Sequence, residues 1–547
     1  MKTTITLTEK PASPWAVEIN LKKYPPEEEE GKTEYKLKII RADHEKINRL
    51  ASQLKYRLAE GGGEAFYVLG VTDEGLPEGL NKEELSETLE ALHTACNLIN
   101  AKVIKVRERE GRRGKVVELL IRASREDEPP LTVTVTALGN VDAGKSTLIG
   151  VLSTGKLDDG RGSAMKRIAR YLHEIESGRT SSICSRLLGF DMDGNVVNYL
   201  LTSPLNEAEI YLRSFKVIDF VDLGGHERYL KTTLRGVMSR EPDYVMLVVG
   251  ANAGLLRMGK EHLGISVALG IPIFAVFTKV DLAPIHVLKR NLNEFIKLLK
   301  MPGIDKLPLL VRGEDDAILA ARHIQSGRIV PIFMVSNVNG RGLDLLTKFL
   351  NLLPPRREWK EWLRRPFKLY VEDLFNVKGV GPVVAGLVVS GSISEGATAF
   401  IGPFKDGSWR KIKIKSIHLN RIPIHRVSPG QYITLALSGI EFEEIEKGQV
   451  ILDRREEAKT VRSFEALITI LKHPTTIRRG YQAVFHSHSI RSTVTFKSME
   501  KEPLRTGDTS KVTLSFVYHP WHVEEGATFI LREARTKAIG VITKLCG

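Results

Sequence analysis

Residues 139–147 have the spacing of a phosphate-binding loop. They read Gly-Asn-Val-Asp-Ala-Gly-Lys-Ser-Thr, which contains the pattern G-x-x-x-x-G-K-S. The two glycines allow backbone N–H groups to close around anionic oxygens. Lys145 is predicted to reach the β- and γ-phosphates of a nucleoside triphosphate, and the Ser146 hydroxyl to ligate Mg²⁺. A β-branched run at 131–137 precedes the loop and a candidate helix follows it, as this motif requires.

A second motif, D-x-x-G, follows a buried strand pattern at 215–222. Asp222 ends that strand pattern and is predicted to hold Mg²⁺, usually through water. The N–H of Gly225 is predicted to meet the γ-phosphate. Phosphoryl transfer depends on positioning and charge, so Gly225 and Lys145 are candidate catalytic residues.

Two further strand patterns end in residues suited to guanine. Asp281 follows the apolar run that precedes Thr278 and Lys279, and it offers two acceptors to N1 and the exocyclic amine. Adenine has no such donor pair and leaves the carboxylate unpaired, which costs on the order of 2–5 kcal/mol in selectivity. Ser336–Val338 ends a second strand, where a backbone N–H is predicted to meet guanine O6. Each motif alone is weak, but the four in this order predict a GTP site.

The residues predicted to bind GTP are Asn140, Val141, Asp142, Ala143, Gly144, Lys145, Ser146, Thr147, Asp222, Gly225, Thr278, Lys279, Asp281, Ser336, Asn337 and Val338. Thr278 stands where the N-K-x-D pattern has asparagine. Its hydroxyl makes fewer hydrogen bonds than an amide, which predicts a loss of ~1 kcal/mol or more in nucleotide affinity without a change of base. We therefore expect GDP release to be faster than with asparagine there.

These residues require a sheet whose strand ends meet at one edge. Alternating strand and helix patterns over 129–357 predict an α/β GTPase domain with a mostly parallel sheet. The periodicity of 35–128 predicts a small α+β domain, preceded by an extension or linker at 1–34 with a Pro-Pro-Glu-Glu-Glu-Glu run. Short β-branched runs with Gly turns predict two β-barrels, at 358–456 and 457–547.

Composition limits the class of protein. The chain has 547 residues, 42% hydrophobic and 27% charged, so large cores are expected and extensive disorder is not. The net charge of +14 favours a polyanionic partner such as RNA, although a merely charged surface gives the same value. Three widely spaced cysteines argue against disulfides and structural zinc. No apolar run approaches ~18 residues and no signal-peptide core is present, so we expect a cytoplasmic protein without membrane contact.

The motifs at 139–147, Asp222–Glu227 and Lys260–Leu263 resemble translational GTPases of the elongation factor Tu and one-alpha type. The segments 176–182 and 225–233 resemble more closely the GTP-binding protein 1 and 2 family, as does 54–65. The resemblance covers nearly the whole chain after the first ~35 residues. It implies a GTPase domain followed by two barrels.

The resemblance also implies residue roles and partners. Thr180 matches the threonine of the first switch that binds Mg²⁺, and His226 matches the catalytic histidine that orients water. Partners implied are GTP or GDP, Mg²⁺, and tRNA or the ribosome; no DNA is expected. The alternative is a GTP-regulated adaptor in mRNA turnover or ribosome quality control, acting through the N-terminal domain. In the second domain Lys411, Lys413 and Lys415 share one strand face, which suits either an RNA backbone or solvent.

Overall fold

The computed structural model describes residues 24, 27, 31–40, 42–125, 128–169, 183–224, 230–533 and 536–546. They form an α+β unit, an α/β domain and two β-barrels, in the order predicted from the sequence. No helix within those ranges is long and apolar enough to cross a membrane.

The α+β unit has a four-stranded sheet in the order β1-β2-β4-β3. Its elements are β1 (Thr33–Lys36), α1 (His44–Glu60), β2 (Glu64–Leu69), α2 (Lys82–Leu98), β3 (Ala101–Glu110) and β4 (Lys115–Ala123). Asn81 caps α2: its side chain accepts from Glu84 N, and the Glu84 side chain accepts from Asn81 N. This capping box satisfies backbone donors that the helix itself leaves unpaired.

Part of the predicted linker packs into this unit. Tyr24 is buried, and its hydroxyl donates to Glu118 Oε1 at 2.6 Å. Burial, reinforced by the neighbouring Glu118 carboxylate, raises the pKa of Tyr24 above its usual range. Strand β1 begins at Thr33, ahead of the predicted boundary between 34 and 35. The acidic, proline-containing run therefore lies between two points that belong to the folded unit.

A buried charge network attaches this unit to the α/β domain. Glu64 of β2 accepts from Arg122 Nε at 3.0 Å and from Lys216 Nζ at 2.5 Å. Arg122 also donates to Asn351 Oδ1 at 2.7 Å, and Lys216 to the backbone oxygen of Leu353 at 3.1 Å. Burial alone would raise the pKa of Glu64, but Lys216 and Arg122 hold it below its usual range. The two units therefore share buried ions, which are costly to separate.

The α/β domain has a seven-stranded sheet in the order β10-β11-β9-β8-β5-β7-β6, in which only the β6–β7 pair is antiparallel. Its strands are β5 (Leu131–Gly139), β6 (Cys184–Phe190), β7 (Lys216–Asp222), β8 (Tyr244–Gly250), β9 (Ile273–Thr278), β10 (Leu307–Leu310) and β11 (Ile329–Met334). Its helices are α3 (Lys145–Thr154), α4 (Ser163–Ile168), α5 (Glu207–Arg213), α6 (Leu230–Arg240), α7 (Arg257–Ala268), α8 (Ile285–Leu299), α9 (Glu314–His323) and α10 (Leu343–Leu352).

Both barrels close on themselves with six strands. The first runs β12-β19-β15-β16-β18-β14 and returns to β12, with β13 added to β14 and β17 to β16. Its strands are β12 (Lys368–Tyr370), β13 (Asp373–Val377), β14 (Gly381–Ser390), β15 (Thr398–Gly402), β16 (Arg410–Leu419), β17 (Ile422–Pro423), β18 (Tyr432–Ser438) and β19 (Val450–Leu452). The second runs β20-β23-β22-β21-β24-β25 and closes through β20 and β25. Its strands are β20 (Ser463–Lys472), β21 (Gln482–Ser487), β22 (Ile490–Met499), β23 (Thr509–Phe516), β24 (Thr528–Glu533) and β25 (Thr536–Cys546).

Candidate functional site

The phosphate-binding loop joins β5 to α3 at the carboxyl edge of the sheet. Gly139 ends β5, and a Cβ there would lie 2.2 Å from the backbone oxygen of Val248 on the neighbouring strand. Gly144 precedes α3 with φ +83°, a left-handed conformation that favours glycine. Both glycines of the motif are thus required by the backbone, which explains their spacing.

Lys145 is buried within this loop. Its Nζ donates to the backbone oxygen of Asn140 at 2.9 Å. Burial lowers the pKa of Lys145, and the nearby Asp222 carboxylate opposes that shift. An anionic phosphate beside the ammonium would favour its charged form in the same way. The arrangement suits a cation that neutralises a polyphosphate.

Ser146 and Asp222 meet because β5 and β7 are parallel neighbours. The Ser146 hydroxyl donates to Asp222 Oδ2 at 2.5 Å. Hydroxyl and carboxylate oxygens are the ligands that Mg²⁺ prefers, usually with several waters and the substrate phosphates. These two residues therefore fit the predicted metal site. The third predicted ligand, Thr180, lies outside the described residues, as do Gly225 and His226.

The predicted guanine-binding residues follow β9 and β11, which are also parallel neighbours. A cavity of about 460 Å³ connects them with the phosphate loop. It is lined by Val141, Asp142, Gly144, Lys145, Ser146, Thr147, Asp158, Gly160, Arg161, Gly162, Met165, Lys166, Lys279, Asp281, Leu282, Asn337 and Val338. Lys279 has φ +60°, which turns the chain so that both it and Asp281 reach the cavity. One cavity thus joins Asp281, the predicted acceptor for guanine, to Lys145, the predicted cation for the phosphates.

Several predicted residues lie behind the cavity wall instead of lining it. Asn140, Ala143, Asp222, Thr278 and Ser336 are all buried. Asn140, Ala143, Thr278 and Ser336 lie within or next to segments that do line the cavity, whereas Asp222 reaches the phosphate loop through Ser146.

Thr278 connects the base-binding strand with the phosphate loop. Its hydroxyl donates to the backbone oxygen of Ala143 at 2.6 Å and approaches that of Val249 at 3.4 Å. The side chain also lies beneath Gly144, where an added Cβ would be 3.6 Å from the Thr278 hydroxyl oxygen. Threonine therefore retains a brace between the two segments through one short hydrogen bond. The expected effect on GDP release stays a prediction.

Helix α7 supports the phosphate loop and contributes none of the cavity-lining residues named above. Asn140 Oδ1 accepts from the N–H of Gly259 at 2.7 Å, and His262 Nδ1 accepts from the N–H of Gly139 at 3.1 Å. Burial, together with the charges of Lys145 and Arg532, lowers the pKa of His262 to about 3. His262 is therefore neutral, which leaves Nδ1 able to accept.

Sequence reasoning missed the segment 156–166, which supplies six of the cavity-lining residues named above. Asp158 orders it: Oδ2 accepts from Gly160 N at 2.9 Å and Oδ1 from Ala164 N at 2.8 Å. The signal was present in the sequence as Asp-Asp-Gly-Arg-Gly-Ser, since Asp and Gly favour turns in which a carboxylate accepts from nearby backbone N–H groups.

Comparison with known proteins follows the same division of the chain. The model for the elongation factor Tu GTP-binding domain matches residues 131–355, that for elongation factor Tu domain 2 matches 381–452, and that for the elongation factor Tu C-terminal domain matches 457–546. GTP-binding protein 1 of Xenopus laevis is 43% identical over 512 residues, which are 93% of this chain and 78% of that protein. GTP-binding protein 2 of Homo sapiens is 41% identical over 529 residues, or 95% and 88% of the two chains. The chain therefore belongs to the GTP-binding protein 1 and 2 family.

The fold of this chain is similar to that of solved elongation factors. An apo structure of elongation factor SelB from Methanococcus maripaludis aligns with a TM-score of 0.53 at 18% identity, over 76% of this chain and 80% of that one. A bacterial selenocysteine-specific elongation factor aligns with a TM-score of 0.55 at 18% identity, over 75% of this chain and 58% of that one. The predicted family and the predicted fold of a GTPase domain with two barrels are confirmed. This member is a GTPase of the translation elongation factor type.

Proposed function

We propose that this protein is a Mg²⁺-dependent, cytoplasmic GTPase whose GTP-bound form binds tRNA or the ribosome. The observation that carries the GTPase part is the cavity shared by Lys145 and Asp281. It supports a nucleotide that is recognised at the base by a carboxylate and at the phosphates by a cation and backbone N–H groups.

Each residue has a separate task in the proposed reaction. Asp281 accepts from guanine N1–H and the 2-amino group, while Lys145 neutralises the β- and γ-phosphates. Ser146, Asp222 and Thr180 would hold Mg²⁺, which when bound neutralises phosphate oxygens. Gly225 would donate its N–H to the γ-phosphate, and His226 would orient the attacking water. Because the reaction is dominated by positioning, these contacts support in-line hydrolysis, which should be slow without an activator.

Replacing the Asp281 carboxylate, which only accepts hydrogen bonds, with an amide that can also donate tests whether Asp281 recognises guanine. Xanthine has a carbonyl where guanine has the 2-amino group, so Asp281→Asn presents an amide donor to xanthine and loses the carboxylate for guanine. We expect GTP affinity to fall at least tenfold and XTP affinity to rise by a similar factor, since a mismatched buried polar group costs ~1–3 kcal/mol. The measurement is hydrolysis and binding of GTP, XTP and ATP by native and variant protein. Native protein that hydrolyses ATP as well as GTP would contradict the proposal.

The first barrel supports the RNA part of the proposal. Lys411, Lys413 and Lys415 of β16 are exposed and alternate with the buried Ile412 and Ile414. Lys415 Nζ donates to the backbone oxygen of Val380 at 2.8 Å, beside the β13–β14 hairpin. That hairpin exposes apolar side chains at Phe375, Val377 and Val380. Cations next to the exposed aromatic ring of Phe375 suit RNA, which combines phosphates with bases that can stack on such a ring.

Charge removal from this face tests RNA binding. The triple variant Lys411→Ala, Lys413→Ala, Lys415→Ala is expected to weaken binding of aminoacyl-tRNA or ribosomes in the presence of a GTP analogue. The slope of log Kd against log salt should also become shallower, because fewer counterions are released. The matched control removes the exposed Lys289 and Lys297 of α8 and the exposed Lys300 that caps its C-terminus. Equal binding by both triple variants would argue against this face, and no binding by native protein would argue against RNA altogether.

We do not extend the proposal to an adaptor in mRNA turnover or ribosome quality control. Among the described residues, the N-terminal unit is attached to the GTPase domain through the buried ions of Glu64, Arg122 and Lys216. Neither that attachment nor the comparisons favour a separate adaptor role.

A further inference from the structure

Two cations that belong to none of the GTPase motifs line the nucleotide cavity. Arg161 lies in the loop that follows α3, and Lys166 lies on α4. Both side chains are exposed, and neither forms an ion pair with another described residue. Arg167 on the same helix differs, since its guanidinium donates to the backbone oxygens of Lys156 and Leu157. Arg161 and Lys166 are thus available to a ligand in the cavity.

The loop that carries Arg161 is held rigidly by short-range hydrogen bonds. Asp158 Oδ2 accepts from Gly160 N at 2.9 Å and from Gly162 N at 3.2 Å, and Asp159 Oδ1 accepts from Arg161 N at 2.8 Å. These bonds occupy the Asp158 and Asp159 carboxylates with backbone donors. A cation on an ordered loop loses little conformational freedom in its backbone when it binds an anion.

Two contacts place the segment 156–166 between the part of the cavity lined by Asp281 and the part lined by Lys145. The N–H of Asp158 donates to the backbone oxygen of Asn337, in the predicted guanine-binding segment, at 2.8 Å. Helix α4 packs against α3, which begins at the phosphate loop: a Cβ on Gly150 would lie 2.3 Å from the backbone oxygen of Ala164. The ribose and phosphates of a guanine nucleotide that spans the cavity would lie beside this segment.

We propose that Arg161 and Lys166 are nucleotide-binding residues, which contact the ribose and phosphates of bound GDP and GTP in addition to Lys145. This inference rests on the proposed GTPase function. The buried Lys145 supplies one positive charge, whereas a nucleoside diphosphate or triphosphate carries several negative charges. Arginine is suited to bidentate phosphate contact and lysine to a point contact. The two residues thereby supply in cis part of the charge neutralisation that the polyphosphate requires.

The test compares Arg161→Ala and Lys166→Ala with Lys156→Ala. Lys156 is an exposed cation on the same loop that does not line the cavity, so it is a matched control. The measurement is Kd for fluorescent GDP and GTP, with GMP as competitor, at several salt concentrations. We expect a tenfold or greater rise in the Kd of GDP and GTP for each cavity variant, a smaller rise for GMP, and a shallower salt dependence. Arg161→Lys should recover part of the affinity.

Three outcomes distinguish this inference from its alternatives. If both cavity variants bind GDP and GTP within twofold of Lys156→Ala, Arg161 and Lys166 are not nucleotide ligands. If affinity for GMP falls as much as that for GTP with no change in salt slope, their role is structural and the inference is wrong. If native protein shows no preference for guanine nucleotides, the proposed function itself fails, and this inference fails with it.

Discussion

The brace between Thr278 and Ala143 gives a quantitative prediction for GDP release. Thr278→Val keeps the shape of the side chain but removes the donor that bonds the Ala143 oxygen at 2.6 Å. Both residues are buried, so the carbonyl is left without that donor in a site closed to water. A buried acceptor that loses its partner costs about 1–3 kcal/mol. If the whole cost destabilises the GDP-bound state and not the transition state for release, GDP release accelerates by about 5-fold to 160-fold.

The assay is displacement of fluorescent GDP by excess GDP in a stopped-flow instrument. Thr136→Val is a matched control, because Thr136 is also a buried threonine of the central sheet but its hydroxyl has no hydrogen-bond partner among the described residues. We expect Thr278→Val to release GDP at least fivefold faster than native protein and Thr136→Val to be unchanged. A Thr278→Val rate within twofold of the native rate would refute the reasoning.

Thr278→Asn addresses the expectation derived from the sequence. An asparagine amide offers more hydrogen bonds than a hydroxyl, so the variant should release GDP more slowly than native protein. A native rate that does not exceed the rate of Thr278→Asn would contradict that expectation, even if the valine variant behaves as predicted. The two variants therefore separate the existence of the brace from the comparison of threonine with asparagine.

Two further predictions concern stability. The pKa of His262 is lowered to about 3, chiefly by burial, so the folded protein keeps this side chain neutral while the unfolded chain protonates it near its ordinary value of 6.5. Its contribution is present above pH 6.5 and is lost as the pH falls; from pH 7 to 5.5 native protein should lose about 1.2 kcal/mol more than His262→Asn, which keeps an acceptor, in urea titrations of nucleotide-free protein. An equal pH dependence would contradict this. Glu64→Gln should destabilise the protein by about 3–5 kcal/mol, because it leaves Arg122 and Lys216 buried without their carboxylate. Glu45→Gln, in an exposed pair, should cost at most about 0.5 kcal/mol in the same titration, and similar losses for both variants would contradict the role of burial.

The parts of the fold that sequence reasoning predicted are those set by neighbouring residues. The phosphate loop has its glycines where a left-handed turn and a close strand require them, and the capping box joins Asn81 and Glu84, which are three positions apart. The strands β9 and β11 are short apolar runs that end at or just before the polar residues of known motifs. Such features depend on local geometry, so the spacing of residue types is enough to predict them.

The parts that it missed depend on pairs far apart in the chain. Glu64 and Lys216 are separated by 152 positions, and Tyr24 and Glu118 by 94. A lone tyrosine beside a proline pair and an acidic run has the composition of a linker, and only the folded sheet brings its hydroxyl to a buried carboxylate. The turn that contains Arg161 has a local sequence signal, but its place on the cavity depends on long-range contacts such as that between Asp158 and Asn337.

Helix α7 contacts both the phosphate loop and the second barrel. It can therefore couple nucleotide binding to the position of that barrel. Gly259 and His262 bond the loop, while Glu261 between them forms ion pairs with Arg532 at 3.1 Å and Lys537 at 2.8 Å. Gly259, Glu261 and His262 lie within about one helical turn. A movement of the helix that changes the hydrogen bonds to the loop therefore also changes the ion pairs. Coupling between two sites is reciprocal in free energy. Any nucleotide state that stabilises the docked barrel must therefore bind more tightly when the barrel is docked, and a partner that displaces the barrel must weaken that state by the same factor.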